Sequence, residues 1–166
     1  KFSPENYRLL KLAFLAAPTK GWVLRVGEEA EKTYQALERL RFDWLAAPGL
    51  EDARVMSFIK TLRNGGRGVV ANAKAPDCEG IVNLCVSGLT LEDGAMEAKD
   101  YAVRVAALLA ALPLTRSATY VNLPEVVGCD ALAEPDADVD AGKLIIVPGR
   151  DGYRLGRAVN SLTTFP

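Results

Sequence analysis

One residue group that could bind a ligand is the glycine-rich segment at residues 63–68, where two arginines stand among three glycines. Arginine side chains and backbone amides together can hold a phosphate group. In phosphate-binding loops the glycines follow a strand and precede a helix, because the amides at the helix N-terminus contact the anion. Here the glycines follow a predicted helix, where glycine is a common C-terminal cap. The pattern favours a structural turn, with a nucleotide-binding loop at residues 65–68 as the alternative.

Carboxylates are concentrated at residues 134–140, where Asp136, Asp138 and Asp140 occupy alternate positions. Calcium loops use carboxylates at alternate positions, but they also need a glycine at the sharp turn and a closing glutamate. The segment has neither at a matching position. It is predicted to be the solvated start of a helix and not a metal site.

The chain contains no histidine, so it lacks the commonest general base and the commonest transition-metal ligand. Cys78 lies between Asp77 and Glu79, but no base is available to activate its thiol, and it is predicted to be a structural residue at a strand entrance. With Cys85 and Cys129 the cysteine count is odd and has no C-x-x-C spacing, which argues against disulfides or a zinc site. We predict no catalytic residue, no metal and no cofactor.

The composition is that of one globular domain without a strong net charge. Of the 166 residues, 49% are hydrophobic and 25% are charged, and 20 basic residues balance 21 acidic ones. This balance argues against a large surface for nucleic acid or for an anionic membrane. The sequence has no apolar run of bilayer-spanning length and no signal-peptide pattern, so we expect a soluble, unsecreted protein. Because it begins at Lys1, we expect it to be part of a longer protein.

The first half of the chain alternates short apolar strands with amphipathic helices. Ser3 followed by Pro4 predicts a helix start, with Tyr7, Leu10 and Phe14 on one face. Strands are predicted at residues 22–26, 42–47 and 69–73, with helices at residues 30–40 and 51–62 between them. Residues predicted to lie in the core include Trp22, Trp44 and Phe58.

The second half keeps this alternation. Strands are predicted at residues 81–86 and 118–123, with a turn at residues 93–94. A helix buried on more than one side is predicted at residues 95–112, and a short acidic turn or helix at residues 136–142. Residues 143–147 and 153–155 are predicted to form a hairpin. The predicted fold class is α/β, with a mixed, largely parallel sheet, crossover helices and a C-terminal β-hairpin. We expect residues 1–166 to form one compact region, with a possible subdivision near residues 65–75.

The run at residues 157–165 follows the hairpin, alternates in polarity and is rich in β-branched residues, which predicts a strand that pairs with another element. The candidate contact residues are Asn160, Ser161, Leu162, Thr163, Thr164 and Phe165.

These six residues resemble a signature of the contractile tail sheath proteins of bacteriophages and related particles. Further segments similar to the family follow in its order, and they lie at residues 68–73, 79–83, 112–114, 117–120 and 141–144. The resemblance is close over residues 67–166 and looser before them. It implies that the chain is the central α/β part of a longer sheath subunit.

The resemblance also implies a function, which is structural and not enzymatic. Sheath subunits form hexameric rings and a helical polymer around an inner tube of tail tube protein, and contraction drives that tube through a target cell envelope. This implies a place in the virion tail or a phage-like particle, assembly in the host bacterial cytoplasm, and no cofactor, nucleic acid or membrane insertion. Because terminal arms of such subunits add strands to neighbouring copies, residues 160–165 become a candidate subunit-contact strand. The alternative is a small α/β nucleotide-binding or enzyme domain with the glycine-rich loop at residues 65–68.

Overall fold

The computed structural model describes residues 3–18, 20–26, 28–48, 59, 61–62, 66, 68–72, 77–157, 159–160 and 163. Within these residues the helices are α1 (Pro4–Phe14), α2 (Ala30–Arg39), α3 (Ala98–Ala111) and α4 (Pro135–Asp140). The strands are β1 (Trp44–Ala46), β2 (Gly68–Asn72), β3 (Ile81–Leu84), β4 (Thr90–Leu91), β5 (Gly94–Ala95), β6 (Asn122–Leu123), β7 (Val126–Gly128), β8 (Lys143–Leu144), β9 (Ile146–Gly149) and β10 (Gly152–Leu155). Most of the predicted helix at residues 51–62 lies outside the described residues, although residues 59 and 61–62 are helical.

Helix α1 begins where the sequence predicts. The Asn6 backbone N–H donates to the Ser3 hydroxyl at 3.2 Å, and Pro4 occupies the first helical position, where its missing N–H has no partner to lose. The face that Tyr7, Leu10 and Phe14 share is not the buried one. Leu12 is the buried residue of the helix, while the side chains of Tyr7 and Phe14 are 68% and 64% exposed.

Four strands form one parallel sheet in the order β1, β2, β3, β8. Trp44 pairs with Gly68 between the first two strands, and Asn83 pairs with Lys143 between the last two. The strands predicted at residues 42–47, 69–73 and 81–86 are therefore confirmed. The first and third are shorter than predicted, and the second begins one residue earlier. All four residues of β3 are buried, since this strand has a neighbour on each side and helix α3 packs against the sheet.

The remaining strands form two antiparallel sheets of three strands, in the orders β5, β4, β7 and β6, β10, β9. Glu92 and Asp93 form the turn between β4 and β5, so the turn predicted at residues 93–94 is confirmed one residue earlier. The α/β fold class and the C-terminal hairpin are also confirmed. The parallel and antiparallel strands lie in separate sheets.

The strand predicted at residues 143–147 divides between two sheets. Strand β8 extends the parallel sheet beside β3, and β9 pairs with β10 in the hairpin. Ile145 lies at the change of direction, where it is 2% exposed and its carbonyl accepts a hydrogen bond of 2.7 Å from the Gly156 backbone N–H. The local alternation of apolar residues predicts extended backbone but does not say which sheet each residue joins.

The buried strand predicted at residues 22–26 is wrong. Residues 20–26 contain no strand, and Trp22, Val23 and Val26 are 49%, 63% and 41% exposed. The Lys20 ammonium lies 4.5 Å from the centroid of the Trp22 ring, a cation–π contact at the protein surface. Trp22 is therefore not a core residue.

The strand predicted at residues 118–123 is shortened to β6. Tyr120 has φ of 59°, in the left-handed region that extended backbone does not enter. Its backbone N–H donates to the Gly156 carbonyl at 3.3 Å, which fixes this turn against the end of the hairpin.

The core lies around α3, which packs against α1 and against the parallel sheet. Tyr101 and Val105 lie on one face of this helix and are fully buried. Ala106 lies on the adjacent face and is also buried, which confirms the prediction of a helix buried on more than one side. Trp44 packs against the same core, whereas Phe58 lies outside the described residues. Among the described residues, no helix has the length and apolarity that a bilayer crossing requires.

Candidate functional site: the C-terminal segment and its anchor

Thr163, one residue of the candidate contact segment 160–165, is hydrogen-bonded to the body of the protein. The Thr163 backbone N–H donates to one carboxylate oxygen of Asp77 at 3.0 Å, and the Thr163 hydroxyl donates to the other oxygen at 3.0 Å. The two residues are 86 positions apart in the chain. Of the six candidate residues, Asn160 and Thr163 are described, and the other four lie outside the described residues.

Asp77 occupies the turn that leads into β3. Gly80 has φ of 77°, a left-handed conformation that glycine adopts without a steric penalty, and the Ile81 backbone N–H donates to the Cys78 carbonyl at 3.4 Å. Strand β3 follows directly and lies inside the parallel sheet. A buried strand therefore holds the base of the turn, while the Asp77 side chain is exposed to solvent.

The other end of the segment begins at the hairpin. Gly156 directly follows β10, and a Cβ atom at Gly156 would lie 2.7 Å from Cγ1 of Ile145. A larger residue at this position would separate the chain from the point where β8 becomes β9. The chain leaves this close contact through the exposed Arg157 and reaches the half-buried Val159 and Asn160.

Exposed apolar side chains occur on several elements. On α1, Tyr7 and Phe14 are seven positions apart and so lie on the same face of the helix. Leu114 and Val127 are 107% and 54% exposed. Large apolar side chains that solvent reaches in this way are suited to contacts with another protein surface when they are contiguous.

The glycine-rich segment is described only at Gly66 and Gly68. Gly66 has φ of 80°, the left-handed conformation expected of a helix-terminating glycine. Gly68 is the first residue of β2, and a Cβ atom there would lie 2.6 Å from carbon atoms of the Trp44 ring. The close packing of Trp44 is enough to explain the glycine at position 68, so a phosphate-binding role is not needed to account for it.

The acidic cluster is confirmed as a helix start, since α4 spans Pro135–Asp140. Its Asp138 carboxylate accepts a hydrogen bond of 2.7 Å from the Lys143 ammonium, and this contact raises the pKa of Lys143. Cys78, Cys85 and Cys129 are half-buried thiols, and burial raises the pKa of the Cys129 thiol. Among the described residues, no three Cys, Asp or Glu side chains are grouped so that they could hold a metal ion.

A buried polar group connects α3 to the corner between β6 and β7. The Glu125 carboxylate accepts hydrogen bonds of 2.7 Å from both the Tyr101 hydroxyl and the Arg104 Nε. The side chains of Arg104 and Glu125 are only 6% and 12% exposed. Burial, followed by the charge of Glu125, raises the pKa of Tyr101. These hydrogen bonds link α3 to the turn that joins the two antiparallel sheets.

Comparison with known proteins identifies the family. No family model matches the chain. The tail sheath protein of Clostridium phage phiCD119 is 32% identical to it over an alignment of 181 residues, which includes 98% of this chain. The chain belongs to the tail sheath protein family. It spans 50% of the length of that relative.

Two solved structures of sheath tail proteins have the same fold as this tail sheath chain. The protein from Desulfitobacterium hafniense matches with a TM-score of 0.72 and 26% identity, over 86% of this chain and 37% of its own. The protein from Listeria innocua matches with a TM-score of 0.72 and 25% identity, over 82% of this chain and 34% of its own. The predicted family is therefore confirmed by a sequence relative and by structures.

The contact between Asp77 and Thr163 in this tail sheath chain was not predicted. The sequence shows Asp77 only as an acid beside the thiol of Cys78, and Thr163 only as a residue of a predicted strand. No sequence pattern connects an aspartate that precedes a strand with a threonine far along the chain. The contact depends on the tertiary structure that brings the hairpin end close to the start of β3.

Proposed function

We propose that this chain is part of the structural subunit of a contractile tail sheath. The subunit polymerises around an inner tube, and contraction of the polymer drives the tube through a target cell envelope. Its partners are other copies of the same protein, arranged in hexameric rings and a helical sheath, and the tail tube protein. Its location is the tail of a virion or phage-like particle, assembled in the bacterial cytoplasm, and its role is mechanical and not enzymatic.

The observation that carries this proposal is the similarity to the phage tail sheath protein over 98% of this chain. The surface of the protein is consistent with assembly, because Tyr7, Phe14 and Leu114 are more than half exposed. Tyrosine and phenylalanine are enriched in protein interfaces. Residues of this kind leave solvent when copies pack together and so favour association.

Within this proposal, residues 160–165 form a strand that pairs with a neighbouring copy. The segment begins beyond the end of β10, and Thr163 holds part of it beside the turn before β3. A strand added to the edge of a sheet gains main-chain hydrogen bonds that do not depend on side-chain identity. Such pairing can hold copies together while their relative orientation changes.

Electron microscopy of the purified full-length protein tests the proposal. We expect rings or tubes of regular diameter, alone or on addition of the tail tube protein. A preparation that stays monomeric at high concentration with and without the tube protein would contradict it.

A thermal-shift screen with nucleotides separates this function from that of a nucleotide-binding domain. A ligand at a hundred times its dissociation constant stabilises a protein by about 2.7 kcal/mol, which is easily measured. We expect no shift, because Gly68 is placed by packing against Trp44. A stabilisation that is lost on replacement of Arg63 and Arg67 would favour the nucleotide-binding domain.

A further inference from the structure

We propose that Arg154 and the Tyr120 ring against which it lies form a docking surface for a second copy of this chain, which binds there through the carboxylates of its α4 helix. We call Arg154 and Tyr120 the arginine–tyrosine pair. The inference rests on the function proposed above, because it assigns a contact between copies. It deepens that function by naming the two described surfaces that meet and the charges that they carry.

The Arg154 side chain is held in place by the hairpin sheet. Strand β10 lies between β6 and β9, and residue 154 faces away from the core, because its neighbour Leu155 is fully buried and side chains alternate along a strand. The Arg154 Cζ atom lies 4.7 Å from the centroid of the Tyr120 ring. On β9, a Cβ atom at Gly149 would lie 3.4 Å from Cδ and Nε of Arg154, so this glycine leaves room for the side chain. A side chain that is already ordered loses little conformational entropy when a partner binds.

The Arg154 guanidinium has no acceptor within the described residues. Its Nε atom is shielded from solvent and makes no hydrogen bond. By contrast, Arg8 and Arg104 are each paired with a carboxylate of this chain. Because Arg154 is half-buried, part of the cost of removing its charge from water is already present in the free protein. A planar guanidinium offers a carboxylate two parallel N–H donors, so a carboxylate is the group that this surface fits.

Tyr120 has a backbone conformation that is unfavourable for its residue type. Its φ of 59° lies in the left-handed region, which a residue with a Cβ atom adopts at a cost in free energy. The side chain is 56% exposed, so burial of the ring offsets only part of that cost. The conformation places the ring against Arg154. Backbone outliers of this kind cluster at binding sites, and both tyrosine and arginine are enriched in protein interfaces.

The exposed carboxylates of α4 are complementary in charge to this surface. Glu134, Asp136 and Asp140 are exposed, and none of the three forms an ion pair in the part of the chain that the structure describes. Asp138 differs from them, because it is bound to Lys143. Residues four positions apart share one face of a helix, so the Asp136 and Asp140 carboxylates can meet the same partner. The helix is held by its packing against β8.

The two surfaces lie on different elements, so the contact between them is head-to-tail. A copy that binds one neighbour through α4 keeps its own arginine–tyrosine pair available for the next copy. Contacts of this heterologous kind repeat, and they build closed rings or helical polymers. The inferred contact is therefore of the type that a sheath of identical subunits requires.

The salt dependence of association tests the charge of Arg154. In the full-length protein, Arg154→Met keeps an apolar stem and removes the charge. By sedimentation, it should raise the protein concentration needed for association at least about fivefold and make association less sensitive to NaCl than in the wild type. Arg116→Met is the matched control, because it removes another exposed arginine, and it should behave like the wild type. Wild-type association of Arg154→Met with unchanged salt dependence would overturn the proposal.

Tyr120→Gly separates docking from stability. Glycine adopts the left-handed conformation without a steric penalty, so the melting temperature of the unassembled protein should stay within a few degrees of the wild type. Association should nevertheless weaken at least about twofold, because the guanidinium loses the ring that orders it. A variant that assembles like the wild type would show that the ring has no part in docking.

An exchange of charges identifies the partner surface. Arg154→Glu, and the double variant Asp136→Arg with Asp140→Arg, each place like charges across the contact, so each alone should associate at least about tenfold more weakly than the wild type. In an equimolar mixture every contact joins opposite charges again, and association should recover, with the two variants in equal amounts in the assemblies. Failure of the mixture to recover would overturn the assignment of α4 as the partner.

Electron microscopy of the same samples distinguishes this inference from the proposed function. Charge-dependent oligomers that form neither rings nor tubes would support the contact and contradict the function. Normal rings or tubes from Arg154→Glu would support the function and overturn the contact. A wild type that stays monomeric at every concentration tested would overturn both.

Discussion

At Gly68, the absence of a side chain in glycine allows two strands to pair closely. It pairs with Trp44 across β1 and β2, and a Cβ atom at this position would lie 2.6 Å from the tryptophan ring. We expect Gly68→Ala to lower the free energy of unfolding by about 1–3 kcal/mol, the usual effect of an overpacked site. Urea denaturation of the chain would measure the change.

Two companion variants make the Gly68→Ala result specific. Gly21→Ala is the matched control, because a Cβ atom there would meet nothing within 4 Å. Trp44→Leu should make the added methyl group at residue 68 less costly, so the double variant should be more stable than the sum of the single effects predicts. Additive effects would show that the tryptophan ring is not the obstacle.

The raised pKa of Tyr101 predicts how the stability of the protein changes at alkaline pH. Burial raises its pKa in the folded protein, so above a pH of about 10 the unfolded chain loses a proton that the folded chain keeps. This contribution to stability is complete below that pH and decreases as the pH rises. Compared with Tyr101→Phe, the wild type should lose about 1.4 kcal/mol more for each pH unit above 10. Parallel stability curves for the two proteins between pH 8 and pH 11 would contradict the prediction.

At the scale of elements, Arg8 joins α1 to the hairpin of β4 and β5. Its Nε and Nη2 atoms donate to the Asp93 carboxylate at 3.1 and 2.7 Å, and Nη1 donates to the Ala95 carbonyl at 2.8 Å. The hydrogen bond from Arg8 is the main cause of the lowered pKa of Asp93. Lysine cannot reproduce a planar, forked set of donors.

We therefore expect Arg8→Lys to destabilise the attachment of α1 by about 0.5–1.5 kcal/mol. Hydrogen exchange of α1 amides should become faster, while α3 amides should keep their protection. Lys11→Ala, which removes an exposed positive charge from the same helix, is the control and should have little effect. The contact with Arg8 lowers the pKa of Asp93 in the folded state, so it stabilises the folded protein when this carboxyl is ionised. The difference in the free energy of unfolding between Arg8→Lys and the wild type should therefore shrink as the pH falls below about 4. A difference that stays constant down to pH 2 would show that the carboxylate is not the partner that matters.

The elements that the sequence predicts well are those whose signals are local. The start of α1 follows from Ser3 and Pro4, and the acidic turn at residues 136–142 is confirmed as α4. The strand at residues 22–26 was wrong, because an apolar run shows that a segment is able to be buried but not that another element covers it. The division of residues 143–147 between two sheets and the contact of Thr163 with Asp77 were not predictable either, since both depend on partners distant in sequence.

At the scale of the whole molecule, the parallel sheet and the sheet of the hairpin meet at a short stretch of chain. Residues 143–149 pass from the parallel sheet into the hairpin, Gly156 returns to Ile145, and the candidate contact segment continues from there.

The last prediction concerns the contact segment itself in the full-length protein. Leu162→Pro or Thr164→Pro removes a backbone N–H that strand pairing would use. Either change should therefore weaken polymer formation by tenfold or more, about 1.4 kcal/mol. The melting temperature of the unassembled protein should stay within a few degrees of the wild type. Leu162→Ile and Thr164→Val keep the N–H and the approximate shape, and they should assemble like the wild type. Electron microscopy together with sedimentation at several protein concentrations measures the effect. If both proline variants form sheaths of normal length at the wild-type concentration, residues 160–165 are not a subunit-contact strand, and the contacts between copies must be sought on the exposed faces of the folded elements.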